Sequence, residues 1–483
     1  MKKDSDKHHV TKPEDKLSAG QKIAYGAGMA PYALMVQGMN QLGNPIFNDC
    51  LGVDPRWISW VMGGSRLWDA ITDPIMGNIT DNTNSRWGRR RPWIALGAVL
   101  CALSFAGMWL FPRGMGNLFY FFWYLVTSLI FYVAFTIFSV PYIALGMELS
   151  PDYHERTSVQ AFRTVLSMVG GLFISGLYWF TSMSCFADRA DGMRYGGMIL
   201  GGVILVTVLI PAIFSGEHPS FLKRQAEERK LAKPKVSLLT SAKETLTEKP
   251  FLILIGVTVF MTLGLLMVAS LGYYVAIYHV FGGDKTAESG RMITFGQWAA
   301  QLCTILSVPV INIVSKKIGK KAMLFVTIAI AIVGSMLKWV CYTPDNPWLL
   351  LIPGMVMSGG LASTWMLINA MIPDVVDLNE LRTGQRREGM FSAVYSWTYK
   401  TGVALAMVIA GYVLSSSGFD ATLGANQDPD AILKLRLFFT GIPIVTMSLA
   451  MGLLACYSIS EKRSYEIRSQ LKEKREQRGD CLI

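Results

Sequence analysis

The sequence predicts an all-α fold embedded in a membrane, with twelve spanning helices arranged as two six-helix halves. Three observations predict it. Of 483 residues, 52% are hydrophobic and only 16% charged, against about 25% charged in soluble domains. The apolar residues fall in blocks of about 20, the length a helix needs to cross a ~30 Å hydrocarbon core. The longest polar stretch then divides those blocks six and six. A mean hydropathy of +0.36 agrees, and together these exclude a disordered chain and an ordinary soluble enzyme.

The N-terminal segment, residues 1–21, is polar and of mixed charge, without the apolar core and small-residue cleavage site of a signal peptide. Six spans follow at 22–44, 57–80, 93–112, 117–147, 157–183 and 196–215, an N-terminal half covering 22–215. Residues 216–250 are a polar linker. Six more spans lie at 251–281, 291–315, 322–341, 347–372, 389–415 and 435–458, a C-terminal half covering 251–458, and a basic tail occupies 459–483.

Lysine and arginine give the orientation, because cationic loops stay on the cytoplasmic side. The tails, the linker and alternate loops on one side, together with Lys22 at the edge of the first span, hold 33 of the 45 Lys and Arg. Both termini and the linker are therefore expected in the cytoplasm, with the chain crossing a plasma (inner) membrane many times. The net charge of +11 would suggest nucleic acid in a soluble protein, but here basic loops are topology signals, so the expected partner is the lipid bilayer and no nucleic acid. Seven cysteines, an odd count without a CxxC pair, indicate neither a metal site nor a disulfide framework.

The halves echo each other. GNITDNTNSRWGRRRP follows span 2 and the basic turn SKKIGKK follows span 8; Pro151-Asp152 then Arg156 follows span 4, and Pro373-Asp374 then Arg382 follows span 10. Such internal repetition is a trace of duplication in transporters, and favours a two-bundle transporter over a channel or receptor.

Ionised side chains inside spans cost at least about 2.5–3.5 kcal/mol on insertion scales, so they need partners, a water-filled cavity or a function. Span 2 carries Arg66, Asp69 and Asp73, with Thr72 between the carboxylates, all on one helix face. Two carboxylates and a hydroxyl suit Na⁺ as hard oxygen ligands, and two close carboxylates also suit a proton because one pKa is pushed upward. A single arginine cannot balance both acids. Arg163 in span 5 is either a cavity group or a snorkelling cation, Lys400 in span 11 lies too deep to snorkel, and Lys338 beside Trp339 is expected to reach the interface. Candidate cavity residues are Tyr25, Tyr32, Gln37, Gln41, Tyr120, Tyr124, Gln297, Trp298, Gln301, Trp365, Asn369 and Trp397. The pairs Gln37/Gln41 and Gln297/Gln301, each one turn apart, suit sugar hydroxyls because an amide in lipid needs partners.

Trp68-Asp69-Ala70-Ile71-Thr72-Asp73-Pro74-Ile75-Met76-Gly77, followed by Asp81 and by Ser85 to Ile94 (SRWGRRRPWI), resembles the glycoside–pentoside–hexuronide:cation symporters, the melibiose-permease branch of the major facilitator superfamily. A second signature, PDVVD at 373–377 and TGQRREG at 383–389, leads into span 11. The resemblance covers about 20 to 458 and implies a major facilitator fold. It implies that Asp69, Asp73 and the span 4 threonine Thr136 form the coupling-cation site, and that Lys400, Arg163 and Trp365 are the family's span 11, 5 and 10 site residues. Thr72 stands where sodium-using members place Asn, which favours H⁺ over Na⁺. Ala33 and Ser139 stand where galactoside permeases carry sugar-binding carboxylates. With Arg163 and Lys400 retained, the substrate expected is a sugar or glycoside, and the positive cavity admits an acidic one such as a uronide.

The expected function is cation-coupled symport by alternating access, with no cofactor, no catalytic residue and no metal beyond Na⁺ at the cation site. Alternatives are a carrier of an amphipathic or lipid-like solute on the same scaffold, favoured by 26 Met, and a non-transporting membrane sensor. Arg86, Arg89, Arg90 and Arg91 are expected to pair with Asp374, Asp377 and Glu380 as a cytoplasmic gate. No nucleophile–base constellation supports an enzyme.

Overall fold

A computed structural model describes residues 16–83, 85–150, 153–217, 245–384 and 388–477. Readings on the extreme N-terminus, most of the linker, Pro151-Asp152 and residues 385–387 lie outside them. In lipid every backbone polar group must be satisfied within its own segment or its neighbours, and helices do this. The helices run, in order, α1 (Ala19–Ala27), α2 (Met29–Gly43), α3 (Pro55–Asn82), α4 (Arg91–Met108), α5 (Asn117–Glu148), α6 (Tyr153–Thr181), α7 (Arg189–Phe214), α8 (Lys249–Tyr274), α9 (Ala287–Ile318), α10 (Lys320–Cys341), α11 (Leu351–Thr383), α12 (Glu388–Ser416), α13 (Pro429–Ala455) and α14 (Glu461–Gln477).

Ten of these, α4 to α13, are long and apolar enough to cross a membrane. The first expected span is interrupted: α1 and α2 break at Gly28, where a Cβ would come within 2.7 Å of Tyr142 and 2.9 Å of Pro211. Tyr25 and Tyr142 clasp this break, each hydroxyl donating to the other's backbone carbonyl at 3.1 and 2.8 Å. The other exception, α3, is long enough but carries Arg66, Asp69 and Asp73 in its middle.

Span edges differ from the sequence reading where polar turns extend a helix beyond the lipid. α7 starts at Arg189 because Asp188 caps it, accepting from Asp191 N at 2.7 Å. α11 runs through Pro373 to Thr383. The tail, read only as basic, contains α14, which docks Ile467 and Leu471 into the C-terminal core; their i, i+4 spacing was the available signal.

Each half has its own apolar core, around Phe47, Phe105, Phe131 and Phe138 in the first, and around Phe251, Leu324, Ile368 and Phe391 in the second. The halves meet along α3 against α12 and α6 against α9. Glycine permits the approach: a Cβ at Gly411 would overlap Ser59 Oγ, and one at Gly290 would sit 2.8 Å from the Tyr178 carbonyl. Trp60 Nε1 donates to Tyr412 Oη at 2.9 Å, Thr294 Oγ1 to the Ser175 carbonyl at 3.0 Å and Trp298 Nε1 to the Leu172 carbonyl at 2.9 Å. These contacts close the face opposite the termini.

Candidate functional site

The site is built where α3 faces α5 on one side and α12 on the other. At about 3.6 residues per turn, residues four apart share a face, which brings Asp69 and Asp73 together on α3, and the buried Asp69 accepts from Thr136 Oγ1 of α5 at 3.2 Å. Thr72 and Thr136 hydroxyls are 2.9 Å apart. Lys400, from α12 in the other half, donates to Asp69 Oδ2 at 3.0 Å and also pairs with Asp73 Oδ2. Asp73 Oδ1 is buried and accepts no hydrogen bond among the described residues.

Arg66 does not neutralise either acid directly. Its guanidinium is buried, donates to the Val36 carbonyl at 3.2 Å and lies 5.1 Å from the Tyr132 ring centroid. The balancing charge comes from the opposite half instead, because Lys400 is long enough to reach both carboxylates across the interface. Counting Arg66, Arg163 and Lys400 against Asp69 and Asp73, the neighbourhood is one positive charge in surplus.

Arg163 is half-buried on α6 and donates to Gln160 Oε1 at 3.1 Å and toward Met29 Sδ at 3.2 Å. A thioether is a weak acceptor, so much of the guanidinium's capacity is unspent. Trp365 meets Tyr399 edge to face at 5.2 Å, placing an aromatic pair beside Lys400. Asn369 donates to the Trp365 carbonyl at 2.9 Å and, with Tyr395, Ser392, Ser396 and Tyr399, lines a cavity of about 320 Å³.

The two amide pairs come together from opposite halves. Gln41 Nε2 donates to Gln37 Oε1 at 3.4 Å, and both Gln37 and Gln301 reach Gly171 of α6, where a Cβ would stand 3.8 Å and 2.9 Å from their amide nitrogens. Gln297 keeps a buried carbonyl oxygen without a partner among the described residues. Sequence reasoning missed Gly171; only its neighbours across the interface give it meaning.

The remaining candidates divide between the edge of this site and the core. Tyr32 packs its ring 5.1 Å from Phe135, and Ser139 is buried on α5. Tyr25, Tyr120 and Tyr124 are core residues, Tyr124 stacking on Phe47 at 4.2 Å. Trp397 is 62% exposed on α12. Lys338 is no snorkelling cation: it is buried with its Nζ 4.2 Å above the Phe439 ring, because α13 covers that face of α10.

For Arg89, Arg90 and Asp374 the structure gives partners other than the expected gate pairs. Arg89 binds Glu148 at 2.5 Å, and Arg90 binds Asp81 at 2.5 Å and Glu148 at 3.0 Å, all within the N-terminal half. Arg91 donates to the Ala212 and Ile213 carbonyls, and Arg86 lies over Trp87. Asp374 binds Lys320 at 2.7 Å and accepts from Ser464 of α14 at 2.9 Å; Asp377 and Glu380 sit half-buried on the same helix, α11. Arg89 and Arg90 thus hold acids of their own half, and Asp374 holds Lys320 and Ser464 of its own.

A family model described as MFS/sugar transport protein matches residues 24–461. The chain belongs to the MFS/sugar transport protein family. The resemblance read from the span 2 and span 10–11 motifs is thereby borne out, as is the all-α major facilitator fold, and the protein is a multi-pass membrane protein. Among similar proteins, the sodium-dependent lysophosphatidylcholine symporter 1 of Gallus gallus is 24% identical, over 96% of this chain and 91% of its own. The putative glycoside/cation symporter YagG of Escherichia coli is 24% identical, over 96% and 97%. The crystal structure of a D-xylose-proton symporter superposes with a TM-score of 0.61 at 14% identity, over 89% of this chain and 96% of that one, a likeness of fold.

Proposed function

We propose that this family member is a symporter that couples a cation to an acidic sugar or glycoside by alternating access, with its termini in the cytoplasm. One observation carries the reading: Lys400 of one half occupies the carboxylates of the other. A coupling cation arriving at Asp69 and Asp73 does the neutralising that Lys400 otherwise does. Lys400 is then released toward the cavity, where it and Arg163 form a cationic pair for an anionic group on the solute. Cation and solute thus favour each other's binding, which is the linkage a symporter requires. With an anionic solute and one cation the translocated complex carries no net charge, so the cation's concentration gradient supplies the work, about 1.4 kcal/mol and tenfold accumulation for each tenfold gradient.

The coupling ion is H⁺ in preference to Na⁺, since the oxygens beside the two acids are the Thr72 and Thr136 hydroxyls rather than an amide carbonyl. A sensor has no need of a coupling site.

A second reading, an amphipathic solute carried on the same scaffold, is favoured by the lysophosphatidylcholine symporter among the relatives and by an apolar cleft of about 420 Å³ between α6, α7 and α9, lined by Leu172, Phe173, Leu177, Phe180 and Trp298. A binding screen of the purified protein against a neutral glycoside, a glucuronide and a lysophospholipid, with and without Na⁺ and at two pH values, tests the proposal. Selective binding of the glucuronide supports it; preference for the lysophospholipid replaces it with the second reading.

A further inference from the structure

On the face opposite the termini, one carboxylate gathers three donors from the other half. Asp49, whose side chain is fully buried, follows the π-helical turn Asn44–Asn48 that ends the first span. It accepts from Tyr273 Oη at 2.7 Å, from Lys285 Nζ at 2.7 Å and from the Tyr278 hydroxyl. Those partners surround the matching π-helical turn Val275–Val280 at the end of α8. Its neighbour Asn48 accepts from Tyr274 Oη at 2.6 Å and is itself fixed by donating to the Val53 carbonyl at 2.8 Å. Single π-turns often occur at functional positions in helices; here two of them face each other across the interface.

Arg189 completes the arrangement. It is buried in the first turn of α7, in the same half as Asp49, and donates to the Tyr273 hydroxyl. Tyr273 therefore stands between Arg189 and Asp49, bonded to both.

We propose that Asp49 with Tyr273, Tyr278 and Lys285 is a latch that holds this face shut, and that Arg189 becomes the partner of Asp49 when the face opens. Separation of the halves carries the two tyrosines and Lys285 away together. Asp49 and Arg189 stay behind on the N-terminal half with nothing between them, so the carboxylate exchanges one set of partners for another and is not left as a bare buried charge. The latch is independent of which solute is carried, so its test does not depend on the functional reading.

Cys50, beside the latch, is a built-in reporter, and the fully buried Cys101 reports unfolding. In a variant retaining only these two of the seven cysteines, reconstituted in nanodiscs, alkylation by a hydrophilic maleimide is followed at each site by mass spectrometry. Asp49→Ala is expected to raise the Cys50 rate about tenfold or more with Cys101 unreactive. Tyr273→Phe with Tyr278→Phe removes the donors and keeps the packing, and carries the test if Asp49→Ala also exposes Cys101. Adding Arg189→Gln to the double variant should pull the Cys50 rate back toward wild type. An unchanged Cys50 rate in the folded double variant overturns the latch, and a rate indifferent to Arg189→Gln overturns the partner exchange.

Discussion

Lys400 on α12 reaches across the membrane interior to Asp69 on α3 at 3.0 Å, so the two halves of the protein share an ion pair at the level of the proposed cation site. Its partner oxygen is buried, and the second carboxylate, Asp73, completes the pair. Removing one member of a buried pair typically costs about 3–5 kcal/mol because the other charge is left bare. Lys400→Ala should therefore lower both stability and transport, with Asp73→Asn partly restoring stability in the double variant. Thermal unfolding in detergent checks this; additive losses would show that the pair is not coupled.

Asp73→Asn alone should abolish uphill accumulation while leaving solute exchange, because exchange needs binding and rocking but no net cation movement. Uptake and counterflow in the same proteoliposomes separate the two. Unchanged uphill uptake removes Asp73 from the coupling site.

Lys338 gives a contrasting case. Its ammonium lies over Phe439 with its chain buried, so Lys338→Met should be neutral or mildly stabilising, whereas Lys338→Ala should cost about 1–3 kcal/mol through lost packing. Equal unfolding temperatures for the two variants would contradict the burial argument.

Adjacent glycines on α6 should behave differently. At Gly170 a Cβ would overlap the Ala30 backbone carbonyl, and at Gly171 its closest neighbour would be the flexible Gln301 amide at 2.9 Å. Gly170→Ala should reduce the folded yield; Gly171→Ala should fold normally and raise the KM for uptake severalfold by displacing Gln301. A Gly171→Ala variant with wild-type KM would place the amide cluster outside the solute path.

Much of this fold was legible in the sequence because the bilayer imposes a length and a charge asymmetry that a single chain displays. The i, i+4 carboxylates of α3 and the deep Lys400 were visible for the same reason: charge is conspicuous in an apolar span. What the sequence did not display was pairing across elements. Arg66 is nearer to Asp69 in sequence than Lys400, yet a carbonyl and a ring hold it. Arg189 falls between the spans expected at 157–183 and 196–215, yet it is a buried helix residue touching the other half. The Arg89 and Arg90 pairs fall to Glu148, at the end of α5, which no motif linked to the basic loop.

In the proposed cycle a cation at Asp69 and Asp73 drives solute uphill, and this cation is the proton. The measurement that tests it most directly is uptake of the solute identified by binding into sodium-free proteoliposomes under an imposed inward proton gradient, repeated with Na⁺ added. Concentrative uptake is expected without sodium, less than doubled by its addition. Negligible uptake until Na⁺ is supplied would contradict the proton assignment, and uptake that never exceeds equilibration under either gradient would contradict the coupling itself.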